Sequence, residues 1–117
     1  MPYKFERLEV WQMALECIDL IYQVADELPK NEEYNLKSQM TCAATSIALN
    51  IAEGSTGQSN AEQHRFLGMA PRSLIETVAC LHLVKRRNYI SVESVQTVYD
   101  FSEKLSVKLR AFRKALA

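Results

Sequence analysis

The sequence predicts an all-α fold, an up-down-up-down antiparallel four-helix bundle, on three observations. Apolar residues recur at spacings of three and four in four separate stretches, the pattern that lays one stripe along a helix. Gly and Pro number only three each, too few for an all-β chain, which needs a turn signal roughly every 8–12 residues. The connections between the stretches are short and polar, which makes consecutive helices antiparallel neighbours. A chain of 117 residues, 48% apolar and 24% charged, has the size and composition of one globular domain spanning residues 1–117.

The first stripe runs through Trp11, Ala14, Leu15, Ile18, Ile21, Tyr22, Ala25 and Leu28 and stops at Pro29. After the polar linker KNEEY, Asn35 is the expected N-cap of a second helix, built on Leu36, Met40, Ala43, Ala44, Ile47 and Ile51. Gly54 is expected to close it in the left-handed C′ conformation. Ser59, with Glu62 three residues on, has the form of a capping box opening the third helix. Its stripe is Phe66, Leu67, Ala70, Leu74, Val78 and Leu81, and it ends in the cationic run Lys85-Arg86-Arg87, which suits the negative end of a helix dipole. Pro71 lies inside that helix, where proline removes a backbone bond and costs roughly 3 kcal/mol, so a kink or a break is expected between residues 69 and 72. Ser91 caps the fourth helix, on Val95, Val98, Phe101, Leu105, Leu109, Phe112 and Leu116.

Charge and targeting signals narrow the setting. No stretch approaches the roughly 18 uncharged apolar residues of a membrane span, and MPYKFERLEV lacks the basic-then-apolar pattern of a secretion signal, so a cytoplasmic protein is expected. Cys17, Cys42 and Cys80 are an odd number without framework spacing and are expected to be reduced, mostly buried thiols. Formal charge balances at zero, unevenly along the chain. Residues 1–35 hold three basic and eight acidic residues, residues 36–90 six and three, and residues 91–117 five and three. An acidic first segment beside a basic remainder suits packing between copies of the chain, or a basic surface for an anionic partner.

Catalytic and metal chemistry find no support. A di-iron bundle needs Glu-x-x-His pairs, and Thr56, Arg65 and Ala79 stand three residues after Glu53, Glu62 and Glu76. His64 and His82 are eighteen residues apart on one predicted helix, about 27 Å at 1.5 Å per residue, too far to share a metal. No serine sits in a strand-to-helix elbow, and the Gly-Ser-Thr-Gly turn lacks the lysine of a phosphate-binding loop. The expectation is a protein that is not an enzyme and carries no metal or cofactor.

Two groups of residues remain as candidate sites. Lys85, Arg86 and Arg87 cluster at one helix end, and Lys104, Lys108, Arg110, Arg113 and Lys114 crowd the last helix, with 104 and 108 on one face and 110 and 114 on another. These cations are either a solvated surface or candidates to hold the phosphates of a nucleic acid. Ser46, Asn50 and Glu53 lie on one side of the second helix, and Ser73 and Glu76 lie three apart on the third. A carboxylate among apolar neighbours must be paired, hydrogen-bonded or protonated. These five are therefore expected to form a polar network that fixes the register of the two helices, with a ligand site as the alternative. Val10, Leu20 and Val107, off the main stripes, are expected to complete an interface between copies.

The chain also resembles a known family. Leu8-Glu9-Val10-Trp11-Gln12, Ala14, Ile21-Tyr22, Leu28-Pro29, Glu33-Tyr34, Leu36 and Gln39 carry the first part of the likeness. Ala43-Ala44-x-Ser46-Ile47-x-x-Asn50-Ile51-Ala52-Glu53-Gly54 is its most specific part, and Arg65-Phe66-Leu67, Ala70, Ser73-Leu74 and Glu76 extend it. Over residues 8–90 this pattern resembles the four helix bundle protein family, small bacterial proteins often encoded in intervening sequences of large-subunit ribosomal RNA genes. A related branch comprises the accessory proteins of diversity-generating retroelements. The resemblance implies a left-handed bundle assembled into a pentameric ring, a homo-oligomer with no known catalytic activity. For the retroelement branch it implies a basic ring that binds nucleic acid and a reverse transcriptase. This sequence has Cys42, Gly57-Gln58 and Ala70-Pro71-Arg72-Ser73 where the family pattern carries arginines or Ala-Arg-Gly-Ser. Each lost cation lowers the affinity for a polyanion that neutralised phosphates would supply.

Overall fold

The computed structural model describes residues 3–56 and 59–116, the latter without the Leu116 side chain. It contains four long helices, α1 (Glu9–Asp26), α2 (Leu36–Glu53), α3 (Asn60–Arg86) and α4 (Val92–Leu116), with single 3₁₀ turns at Lys4–Arg7 and Lys30–Glu32. The helices form an antiparallel up-down-up-down bundle 43 × 25 × 25 Å across, in which α1 packs on α2 and α4, and α3 on α2 and α4. The 27 residues of α3 make about 40 Å of helix, which sets the length of the molecule.

The core is a single apolar cluster. Val10, Ala14, Cys17, Ile21 and Val24 of α1 meet Met40, Ala44, Ile47 and Ile51 of α2, Ala70, Leu74, Leu81 and Val84 of α3, and Val98, Leu105 and Leu109 of α4. Burying a side chain such as Ile21 or Leu105 contributes roughly 1.5–3 kcal/mol. The α1 stripe is rotated relative to the sequence expectation: Leu15 and Tyr22 are exposed, while Val10 is buried and Leu20 packs partly against the core. Of the three residues expected to complete an interface, only Val107 is exposed. The polar residues of the core are satisfied within their own helices, as Thr77 and Ser102 donate to the carbonyls four residues back at 2.8 and 2.9 Å.

The helix ends correct several local expectations. Asn35 makes no side-chain cap; the Glu32 carboxylate instead accepts from the Leu36 N–H at 3.4 Å and from Asn35 Nδ2 at 3.1 Å. Ser59 accepts from the Glu62 N–H and Ser91 from the Ser94 N–H, as their positions predict. Gly54 has φ −71°, a right-handed conformation open to any residue, so its need for glycine is spatial. A Cβ there would lie 2.7 Å from Leu67 Cγ. The left-handed residue is Asn88, φ 58°, at the end of α3, where the Asn88 and Tyr89 N–H groups return to the carbonyls of Lys85 and Val84 at 3.0 and 3.3 Å. These two bonds are those of a Schellman motif. At Pro71 α3 does not break: it runs uninterrupted from Asn60 to Arg86, although proline has no N–H for the Leu67 carbonyl.

Candidate functional site

The five residues expected to form an inter-helix network do not bond to one another's side chains among the described residues. Asn50 Nδ2 donates to the main-chain carbonyl of Ser46 at 2.8 Å. Ser73 likewise offers its carbonyl, to Thr77 Oγ1 at 2.8 Å. Glu53 and Glu76 are exposed, and their carboxylates stay in solvent. The spacing does place Ser46, Asn50 and Glu53 on one side of α2. Asn50 bonds within α2 and Glu53 stays in solvent, and the close α2–α3 contact at the turn is the apolar one between Gly54 and Leu67.

A polar contact between the two inter-helix connections does exist, at the other end of the bundle. The Tyr89 hydroxyl donates to Glu32 Oε2 at 2.7 Å, tying the α3–α4 connection to the α1–α2 connection. This bond, helped by Asn35, the Leu36 N–H and the nearby Arg87 charge, holds the Glu32 carboxyl below its usual value; the same bond, with burial and the Glu32 charge, pushes the Tyr89 phenol up against the opposing pull of Arg87. Sequence reasoning missed it because both residues sit in connections whose meeting depends on the bundle closing.

The cations divide between the two ends. Lys85, Arg86 and Arg87 are exposed at the C-terminus of α3, and with His82 and Leu83 the first two line an open groove of about 640 Å³. His82 itself stands edge-on to Tyr99 of α4, ring centroids 6.0 Å apart. Lys104, Arg110 and Lys114 are exposed on α4, and Lys108 pairs with Glu9 of α1 at 3.3 Å. Arg113 behaves differently: it is half-buried, and its Nε has no hydrogen-bond partner among the described residues. It lies over Gly68 of α3, eighteen residues and about 27 Å of helix from Arg86. There it joins Arg65 and Arg72 around a groove of about 510 Å³. Neither Arg65 nor Arg72 was a candidate from sequence, although their spacing of seven places both on one face of a helix.

The thiols also separate. Cys17 is buried beside Ser102, and burial pushes its thiol up to about 11. Cys80 is buried and raised by burial and by the Glu76 charge. Cys42, expected to be buried, is exposed on α2 beside Tyr22 and Ser46, with Thr45 in the same shallow groove. Among the described residues no three His, Cys, Asp or Glu side chains lie together as metal ligands, and no helix is long and apolar enough to cross a membrane.

These features define a small all-α bundle protein whose chemistry-bearing side chains lie in open surface grooves. The chain belongs to the 23S rRNA-intervening sequence protein family, which it matches over residues 6–111. Its fold is similar to that of a protein with unknown function from the S23 ribosomal protein family of Bacteroides thetaiotaomicron VPI-5482, known from a crystal structure at 1.70 Å. The two are 27% identical, with a TM-score of 0.82 and coverage of 90% of this chain and 98% of that one. Among curated proteins, none matches the chain.

Proposed function

We propose that the chain is a non-enzymatic, cytoplasmic binding protein that works as a homo-oligomer, with a pentameric ring as the assembly to test first. The observation that carries this reading is an apolar face on α1 and α2. Leu15, Tyr22 and Leu49 are exposed there, Leu49 to 56%; a spacing of seven puts Leu15 in line with Tyr22 and Leu49 in line with Cys42, which shares a groove with Tyr22. Large apolar side chains exposed along one face are the raw material of an interface. Asp26 follows Tyr22 by one turn, while Glu16 and Asp19 line a groove with Phe101 on the α4 side of the same helix, so carboxylates border the face along one edge. Its complement is on α3, where exposed Leu83 stands beside Lys85 and Arg86. Two different patches on one chain make a heterologous contact, which closes into a ring when the rotation allows. Sedimentation at micromolar concentration tests this: several chains per particle are expected, and Leu49→Glu or Leu83→Glu should dissociate them. A monomer would sink the reading.

The second reading is a nucleic-acid-binding accessory factor, serving a reverse transcriptase or an RNA-processing partner. Lys85 and Arg86 favour it, because they line an open groove and have no acidic partner among the described residues. Lys104, Arg110 and Lys114 add exposed charge. Labelled single-stranded RNA and duplex DNA, titrated at low and at physiological salt, decide it: affinity should fall steeply with salt. No binding at low salt would dismiss it.

A further inference from the structure

We propose that the groove between α3 and α4 around Gly68 binds the phosphate of a phosphomonoester carried on an apolar or aromatic body. Three guanidinium groups, from Arg65, Arg72 and Arg113, line it together with Gly68, Pro71 and Ile75, and no carboxylate does. Arg65 is neutralised by Glu62 at 3.2 Å and rests on the Phe66 ring, 4.5 Å from its centroid. Arg72 and Arg113 have no acidic partner among the described residues. The local balance is three cations against one anion, an excess that matches the charge of about −1.5 to −2 on a phosphomonoester at neutral pH.

The geometry of the groove explains why the site is found here. The Arg113 guanidinium lies over Gly68, with Nη2 3.4 Å from where a Cβ would stand, an ordinary contact distance. Its Nε is sealed from solvent without a partner among the described residues, so an acceptor in the groove meets the Nη groups. Guanidinium forks pair with phosphate oxygens two at a time, which fixes the head of the ligand. Pro71 and Ile75 give the rest of the groove an apolar wall for its body. A volume of about 510 Å³ lies within the range of roughly 300–1,000 Å³ typical of small-molecule sites. The site is separate from the Lys85–Arg86 groove, and it stands whether or not the chain binds nucleic acid.

Calorimetric titration with phenyl phosphate tests the proposal, with methyl phenyl phosphate as the singly charged diester and inorganic phosphate as the head without a body. One saturable site per chain is expected for phenyl phosphate, with the diester and inorganic phosphate each bound more weakly. Arg113→Gln and the exposed Arg72→Gln should each weaken phenyl phosphate about tenfold or more, the loss of one charge-assisted contact. Lys30→Gln, an exposed cation in the α1–α2 connection at the other end of the bundle, should change nothing. The absence of saturable heat overturns the proposal, as does equal binding by wild type and Arg72→Gln, or equal binding of monoester and diester. The mass of the particle, measured in the same samples, reports separately on self-association.

Discussion

Replacing Gly54 by alanine separates two physical reasons for a glycine at the end of α2. The added Cβ would stand 2.7 Å from Leu67 Cγ and 2.8 Å from Leu67 Cδ2, against an optimal carbon–carbon separation of about 3.5–4.0 Å. Leu67 is 2% exposed, so its branch point cannot swing into solvent. Overpacking of this kind costs about 1–3 kcal/mol. In the opposite direction, alanine adopts φ −71° without strain and gains about 0.4–1 kcal/mol by restricting the unfolded chain. The expected net loss lies between zero and roughly 2.6 kcal/mol, read by urea unfolding at one fixed protein concentration, because self-association makes the midpoint concentration-dependent. The decisive background is Leu67→Ala. That change alone should cost about 2–5 kcal/mol, and Gly54→Ala added to it should then cost nothing or stabilise slightly. An equal cost of Gly54→Ala in both backgrounds would refute the steric account.

Other predictions test the remaining features. Of the three cysteines, Cys42 alone should react quickly with a thiol reagent in the folded protein, while Cys17 and Cys80 wait for unfolding; two fast thiols would contradict their burial. Glu53→Ala and Glu76→Ala should each shift stability by no more than about 0.5 kcal/mol, as expected for solvated carboxylates, and a loss of several kcal/mol in thermal unfolding would restore the inter-helix network. The Glu32 carboxyl lies below its ordinary 4.5 in the folded state, so its contribution is full above that value and is lost as pH falls through the depressed folded value. The Tyr89 phenol is raised above 10.0, so its contribution is present below that pH and is lost as pH rises through the raised value. Tyr89→Phe should therefore flatten both limbs of the stability–pH curve, and an unchanged acid limb would show that the bond does not couple to folding.

Much of the fold was legible because it depends on periodicity, which a single chain displays. The α2 stripe through Leu36, Met40, Ala43, Ala44, Ile47 and Ile51 is buried throughout, as the three-and-four spacing requires. The α1 stripe was harder, since apolar residues occupy nearly every face of that helix and the pattern does not say which are spare. Leu15 and Tyr22 are the spare ones, and they give the chain its exposed apolar face. Capping by Ser59 and Ser91 was legible because it is local. The Glu32–Tyr89 bond and the seating of Arg113 on Gly68 were not, because each joins residues from elements that meet only after the bundle closes. The five-residue network failed for a related reason: helical spacing places side chains on a face, but it does not say whether that face looks inward or toward solvent.

The two functional readings make different demands on the same cations, and Leu49→Glu exposes the difference. If the apolar α1–α2 face of one copy, with the carboxylates along its edge, docks beside Leu83, Lys85 and Arg86 of the next, those cations are partly neutralised inside the assembly. Leu49→Glu removes apolar contact from the face and no positive charge from the chain, so it frees Lys85 and Arg86 as it breaks the particle. If assembly merely occupies the cations, the dissociated variant should bind single-stranded RNA at least as tightly per chain as the wild type at low salt. If nucleic acid needs the cations repeated around a ring, binding should fall by two orders of magnitude or so, the typical return from multivalency. Titrating RNA into wild type and Leu49→Glu, with the mass of each measured, separates these outcomes. Weak RNA binding in both proteins, with the wild type assembled, would leave self-association standing and point to a protein partner.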